Sequence, residues 1–487
     1  MKRITIDPIT RLEGHGKIEI FTNRNGEVEN VYFQVPELRG FEKFCEGRPV
    51  EELAQIVTKI CGVCPGCHHM ASGKAADAVY GVDPPVTAKK LRELFYMAHF
   101  VHSHIAHFYV LAAPDFVVGP TAPPEKRNIL GVIEKVGKDI GLEVIKQRRR
   151  AQEIQALLGG HQTQVVMNIP GGVRRGLSED ERDDVLAKTK GFIEFARFTL
   201  KIFDDFVLGN EQYTDIILNG PYNLKLHSMG LVDENNLVNF YDGKVRVVDT
   251  EGNEHCKYSA PDYLDYIEER VEPWSYLKFP YLKKIGWKGF IEGQDSGVYH
   301  ATPLSRLNAA EGMATPLANK HYKRMFDTLG GKPVHATLAM HWARLVELLY
   351  AAERCFELAS DPDITGDELR TPVGKPVGEG VGIVEAQRGT LTHHYWTDEK
   401  GIVTKANIIV GTTNNNAAIC MSLKKVAQTL IKKGEKVDDG ILNMIEMAFR
   451  AYDPCFSCAT HHLPGEMPLI IKIKDPDGNL MQELRRD

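Results

Sequence analysis

Two Cys-x-x-Cys pairs stand far apart in this chain, Cys61-Gly62-Val63-Cys64 and Cys455-Phe456-Ser457-Cys458. Two-residue spacing turns both sulfurs of a pair to one side, where they can converge on a single metal. One pair alone fits a redox dithiol or a chance spacing equally well. Together they offer four thiolates, the donor set of tetrahedral zinc, an iron cluster or a soft transition-metal centre. Local zinc ribbons keep their pairs closer in sequence. A site made from these two would tie the N-terminal region to the C-terminal region around a buried metal.

The remaining cysteines are Cys45, Cys67, Cys256, Cys355 and Cys420. Met1 to Pro8 contains no apolar run of the kind a secretory signal needs, so the sequence predicts cytoplasmic residence. Disulfides are a poor account of cysteines in that compartment. With 59 Lys+Arg against 65 Asp+Glu among 487 residues, and no basic block, a nucleic-acid partner is not expected. The stretch Phe95 to Pro114 lacks Asp, Glu, Lys and Arg but is interrupted by His99, His102, His104 and His107. Ionisable groups in a membrane are costly, so this reads as a buried core helix with no direct membrane insertion.

The elements that must carry the cysteines follow from periodicity. Ile4 to Phe33 reads as a hairpin turning at Asn25-Gly26. Apolar residues at three- and four-residue spacing predict helices over Glu51–Ile60, Val86–Ala113 and Leu142–Leu158, and Ser178 with Glu181 makes a capping box for a helix reaching Phe206. Strand-like runs with aromatics fill Asn236 to Pro280. Helical pattern resumes over Pro316–Leu358, breaks in Gly- and Pro-rich loops from Pro362 to Gly382, and returns at Asn414–Lys433 and Asp439–Tyr452. The expected fold is α+β, mainly α: a long-helix bundle around a buried metal site with peripheral β-rich lobes. The chain divides into an N-terminal β region (1–48), a helical core with the first Cys motif (49–235), a β-rich lobe (236–300), a helical core with the second motif (301–461) and a C-terminal tail (462–487).

The residues around both pairs are more specific than the pairs themselves. Lys59-Ile60-Cys61-Gly62-Val63-Cys64-Pro65-Gly66-Cys67-His68-His69 and Asp453-Pro454-Cys455-Phe456-Ser457-Cys458-Ala459-Thr460-His461 closely resemble the two metal-binding motifs of the large, catalytic subunit of nickel-iron hydrogenases. The resemblance extends over nearly the whole chain, through Asp7 to His15, Arg39 to Glu42, Thr302 to Asn308 and Glu385 to Gly389. Gly40 to Pro49 looks most like the cytoplasmic, cofactor-coupled branch (bidirectional, NAD(P)- or ferredoxin-linked).

That resemblance implies the large-subunit fold and reversible heterolytic cleavage of dihydrogen to protons and electrons. Cys61 and Cys455 would be terminal nickel ligands, and Cys64 and Cys458 would bridge nickel to an iron carrying carbon monoxide and cyanide. Glu13 would take a proton from the Cys455 thiolate, against the alternative of a solvated strand-end carboxylate. Arg388 would lie over the open metal position with Asp453 supporting it; a structural ion pair and turn chemistry are the plainer readings. Thr412 would donate to a cyanide, or serve only as a β-former, and His68 would stand behind the bridging sulfurs, or be a satisfied core histidine. Glu42, His461 and the backbone carbonyl of Ile408 would hold a magnesium ion. Cys67 reads as a small buried hydrophobe beside the site, with a redox-sensitive thiol as the other reading.

A nickel-free relative, the quinone-site subunit of respiratory complexes, shares this fold but lacks the four cysteines. A structural four-cysteine zinc protein would explain the pairs and leave Glu13, Arg388 and Thr412 without a role. The chain has no further Cys-rich motif, so electrons must leave through a partner: an iron-sulfur small subunit, with flavin-containing, diaphorase-type subunits beyond it and a soluble acceptor at the end. The resemblance also implies a maturation endopeptidase that cuts after His461. Leu469 to Lys474 and Leu480 onward read as a short hairpin in the tail.

Overall fold

A computed structural model describes residues 2–35, 38–434, 436–460, 469–474 and 480–486. At its centre is the helix Met340–Ser360, buried almost all round, which packs against Glu179–Phe203 on one side and Val86–Ala106 on the other. Lys138–Gly159 packs on the outer flank of Val86–Ala106. A helix that is apolar around its circumference must sit inside a bundle, and Trp342, Leu345, Leu348 and Leu349 fill that interior.

One buried guanidinium holds two buried carboxylates inside this core. Arg306 Nε and Nη2 donate to the Glu347 carboxylate at 2.7 and 2.8 Å, and Nη1 donates to Glu385 at 2.8 Å, with all three side chains fully buried. Glu385 also accepts from the Leu231 amide at 2.6 Å. This network joins the helix Pro303–Ala309, the central helix and the strand Glu379–Ala386, and it fixes the turn that carries Gln387 and Arg388. Removing one partner would strand a buried charge, which is why such a network locks the geometry around it.

The apolar stretch from Phe95 is the buried second half of Val86–Ala106, continued by wider turns over His107–Ala112 and Pro114–Val118. Three of its histidines are held by core partners: His99 by Gln155, His104 by Glu347 and His107 by His341. Among the described residues no helix is long and apolar enough to cross a membrane.

The N-terminal hairpin forms from Lys17–Thr22 and Val28–Gln34, and Lys2–Ile6 adds a third antiparallel strand. The capping box of Ser178 and Glu181 starts Glu179–Phe203. Between Leu237 and Leu282 the expected strands appear, and His227–Val232, Tyr299–His300 and Gly312–Met313 belong to a six-stranded sheet in this region. The single helical run expected over Pro316–Leu358 is two helices, Pro316–Thr328 and Met340–Ser360, separated by Gly330-Gly331 with positive φ and by Pro333. In the tail, Leu469–Lys474 pairs antiparallel with Leu480–Arg486.

A larger departure from the sequence reading lies further along the chain. The loop expected up to Gly382 ends earlier, and Glu379–Ala386, Gly389–Thr397 and Val403–Ile409 form a buried three-stranded antiparallel sheet. Two glycines in its first strand weaken the strand signal. They are there because the helix Pro65–Val79 lies on them: a Cβ on Gly382 would meet Ala71 O at 2.1 Å, and one on Gly380 would meet Ala75 O at 2.4 Å. The first Cys motif is thereby pressed onto the sheet that carries Arg388. The fold as a whole is α+β and mainly helical, as expected.

Candidate metal centre

Each cysteine pair sits at the start of a helix. Cys61 follows a single tight turn, Val57–Ile60, and Cys64 precedes the helix Pro65–Val79, with proline at its first position where no amide is needed. Cys455 precedes the short helix Phe456–Ala459, which carries Cys458. Arg39 staples the two motifs together, its guanidinium donating to the carbonyls of Lys59, Ile60 and Ser457 at 3.2, 2.5 and 3.1 Å.

The four sulfurs meet. Cys61 Sγ lies 3.1 Å from Cys455 Sγ, Cys64 Sγ 3.3 Å from Cys458 Sγ, and Cys455 Sγ 2.9 Å from Cys458 Sγ. All four ligand atoms fall within 4.8 Å of one another, and every side chain is buried. None is in a disulfide. Among the described residues this is the only cluster of His, Cys, Asp and Glu with metal-holding geometry. Burial pushes the Cys455 and Cys458 thiols well up. Burial also opposes ionisation of Cys61, yet hydrogen bonds from Cys455, Cys458 and Cys64 and the charge of Arg388 outweigh it and hold that thiol down. Four thiolates this close repel one another unless a cation neutralises them, so the donor set fits a soft, multiply charged metal centre.

Glu13 is brought in by the N-terminal segment, which bridges to Cys455 in parallel register. Its Oε2 accepts from Cys455 Sγ at 2.8 Å and from the Ser457 amide at 3.2 Å, while its carbonyl accepts from the Phe456 amide at 3.1 Å. Gly14 makes the approach feasible: its φ is +84°, and a Cβ there would meet the Ser457 nitrogen at 2.9 Å. Glu13 itself is half-buried, so it spans the sulfurs and the outside.

Arg388 is buried beside the sulfurs. Its Nη2 lies 3.0 Å from Asp453 Oδ2, in ion-pair range without hydrogen-bond alignment, and Nε and Nη1 have no partner among the described residues. Burial opposes its charge, but Asp453 and the neighbouring thiolates hold it firmly protonated. Asp453 in turn lies 3.2 Å from His107 Nδ1. Although burial disfavours its anion, Arg388 and His107 keep that carboxyl well below the usual range. Its backbone takes φ of 51°, a left-handed turn that a non-glycine residue adopts at some cost.

Thr412 lies past the end of the strand Val403–Ile409, not within it, so β-propensity does not explain it. Its Oγ1 accepts from the Cys455 amide at 3.0 Å, which leaves the hydroxyl proton available. His68 is fully buried and neutral, its pKa lowered to about 4 by burial; Nδ1 contacts His393 and Nε2 has no partner among the described residues. Cys67 donates to Gln387 Oε1 at 3.0 Å, and burial pushes its thiol far up, in keeping with a buried and unreactive group. Ser103 is buried, and its Oγ has no partner among the described residues.

Glu42 and Ile408 are neighbours: the Ile408 amide donates to Glu42 Oε1 at 2.8 Å, and Lys278 Nζ lies 3.4 Å from the same oxygen. Burial pushes the Glu42 carboxyl up to about 7, against the pull of Lys278. His461 lies outside the described residues. Periodicity alone does not mark Gln387, His107, His393 or Tyr395 as neighbours of the centre. His107 and His393 stand out only as polar residues inside apolar runs, which is the one signal that could have flagged them.

The model of the family described as nickel-dependent hydrogenase matches residues 39–123 and 225–461, and a HoxL-like model matches residues 3–38. An iron-sulfur subunit of the F420-non-reducing hydrogenase of Archaeoglobus profundus is 48% identical over 485 residues, spanning 100% of both chains. The NAD-reducing hydrogenase HoxS subunit beta of Cupriavidus necator is 37% identical, also over the full length of both. A solved NAD+-reducing [NiFe]-hydrogenase in its H2-reduced state superposes with a TM-score of 0.89 at 35% identity, covering 95% of this chain and 100% of that one. A four-cysteine centre of this geometry, a family match over most of the chain and relatives aligned from end to end converge on one conclusion: this chain belongs to the nickel-dependent hydrogenases, as their large subunit.

Proposed function

We propose that this chain splits dihydrogen heterolytically and passes the proton out through Glu13. Hydrogen cleavage with electron transfer to partner subunits is the work of the family, and the observation that supports this route is the 2.8 Å contact between Cys455 Sγ and Glu13 Oε2. When bound, the nickel-iron centre supplies the Lewis acidity and redox capacity that polarise and cleave the substrate. Glu13 then accepts a proton at Cys455 Sγ, and its half-buried carboxylate hands that proton outward. Arg388 holds a fixed positive charge with two N–H groups available over the reacting side, and Asp453, itself braced by His107, keeps it there.

Thr412 is the donor that would satisfy a cyanide on the iron, and carbon monoxide would complete its ligands. Glu42, the Ile408 carbonyl and His461 would hold magnesium; a buried carboxyl raised to about 7 is one that a cation would keep ionised. Electrons leave where the centre comes nearest the surface: Gly62, between Cys61 and Cys64, is exposed, and Lys59 beside it is too. An iron-sulfur small subunit docks on this face, with flavin-containing subunits beyond. The full-length relatives, named as subunits of F420-non-reducing and NAD-reducing hydrogenases, support a complex of several subunits, and cytoplasmic residence belongs to the same proposal. The test is isotope exchange by the purified complex: deuterium gas in ordinary water yields HD if cleavage is heterolytic, whereas deuterium consumption without HD would contradict it.

Maturation belongs to the same reading. An endopeptidase removes residues 462–487 after metal insertion, so that His461 becomes the C-terminus. Intact-mass measurement of nickel-loaded, active protein is expected to give a chain ending at His461. A mass that includes the hairpin of Leu469–Lys474 and Leu480–Arg486 would show the tail to be permanent.

A further inference from the structure

The side chain of Arg388 does little to fix its own charge. The guanidinium has one ion pair, to Asp453 Oδ2 at 3.0 Å and without hydrogen-bond alignment, and its Nε and Nη1 have no partner among the described residues. Its place therefore depends on where the backbone of Arg388 is held. That backbone forms the turn between the strands Glu379–Ala386 and Gly389–Thr397. On one side of the turn Arg306 Nη1 donates to the Ala386 carbonyl at 2.5 Å. On the other side the anchors are two consecutive asparagines from a different part of the chain.

Asn414 and Asn415 end the single turn Thr413–Asn415, just past Thr412. Asn414 Nδ2 donates to the Thr390 carbonyl at 2.6 Å. Asn415 reaches Arg388 itself: its Nδ2 donates to the Arg388 carbonyl at 3.0 Å, to that of Gly411 at 3.1 Å and to that of Ala301 at 3.2 Å, while its Oδ1 accepts from the Ala301 amide at 2.8 Å. Three segments thus meet on one side-chain amide: the Arg388 turn, the loop before Thr412 and the chain leading into the helix Pro303–Ala309. An asparagine offers donors and an acceptor together on one short arm. The junction demands a short arm, because a Cβ on Gly389 would meet the Ala301 carbonyl oxygen at 2.3 Å and that of Gly411 at 2.5 Å. Asn415 is fully buried, and buried carbonyls stripped of their donor are costly, so the contacts are held firmly.

We infer that Asn415 is a positioning residue: by pinning the Arg388 carbonyl to the Thr412 loop, it sets where the guanidinium stands against the bound centre. This rests on the reading of Arg388 as the fixed charge over the reacting side. A staple with no bearing on Arg388 would change stability and leave turnover per nickel alone.

The experiment compares Asn415→Ala, Asn415→Leu, Arg388→Lys and the double variants in the purified complex, reading nickel content, hydrogen uptake per bound nickel and the midpoint potential of the nickel signal. Leucine fills the space of the asparagine without its hydrogen bonds, so it carries the test if the alanine variant does not fold. In the Asn415 variants nickel stays bound and turnover per nickel falls about 10²-fold, the cost of misplacing a catalytic group by about an ångström. The potential moves to more negative values, because positive charge held less closely favours the reduced metals less. With Arg388→Lys already in place, the Asn415 substitution costs about twofold or less, since the side chain it positions is gone. Losses that multiply in the double variants would overturn the inference, as would wild-type turnover per nickel or a wild-type potential in the Asn415 variants. Loss of nickel or of the fold in both Asn415→Ala and Asn415→Leu would also overturn it, by making Asn415 a structural staple. Wild-type turnover in Arg388→Lys would instead refute the reading of Arg388, and this inference with it.

Discussion

Cys61→Ser and Cys455→Ser each abolish hydrogen uptake. A serine hydroxyl keeps the shape but offers a hard, largely neutral oxygen where a soft metal needs a thiolate, and it also removes part of a tightly coupled set. Cys455 is the more revealing position. Its sulfur contacts Cys61, Cys458 and Glu13 at 3.1, 2.9 and 2.8 Å, so one change disturbs metal binding and the proton exit together. Both variants should fold, because serine is close to cysteine in size and the interior around Met340–Ser360 is filled by Trp342, Leu345, Leu348 and Leu349. The measurement is hydrogen-dependent reduction of an artificial acceptor by the purified complex, with circular dichroism to check the fold. Activity retained in either variant would remove that cysteine from the centre.

Glu13→Gln separates proton transfer from assembly. The amide keeps the size of the side chain and can still accept from the Ser457 amide, now 3.2 Å from the carboxylate, but it cannot take a proton at neutral pH. General acid-base groups contribute about 10²- to 10⁴-fold, so turnover and HD formation should fall within that range while nickel content stays near normal. Turnover and exchange equal to wild type would assign the proton to another exit. Loss of nickel along with activity would make Glu13 a structural support of Cys455 instead.

Much of this site was legible in the residues themselves. Four cysteines in two close pairs offer a metal its full donor set where the pairs are brought together, and their flanking residues carried the family resemblance. The long helices were legible because Met340–Ser360 and Glu179–Phe203 sustain helical periodicity over many turns. The sheet of Glu379–Ile409 was not. Its first two strands are buried on both faces, which erases the alternation that marks a strand, and Gly380 and Gly382 replace side chains with the backbone of a helix that only the folded chain brings near. For the same reason the neighbours of His68 and Asp453 were hidden. His393 and His107 are far from them in sequence, and no local pattern states that distant polar residues will meet in a core.

Metal analysis of the purified, active complex tests the central claim most directly, that Cys61, Cys64, Cys455 and Cys458 hold one nickel-iron centre. The account predicts nickel and this chain in equal amounts, with an equal amount of iron beyond that of the iron-sulfur partner, and loss of both metals from this chain in Cys61→Ser. Zinc alone on the chain, with nickel absent from an active preparation, would contradict it.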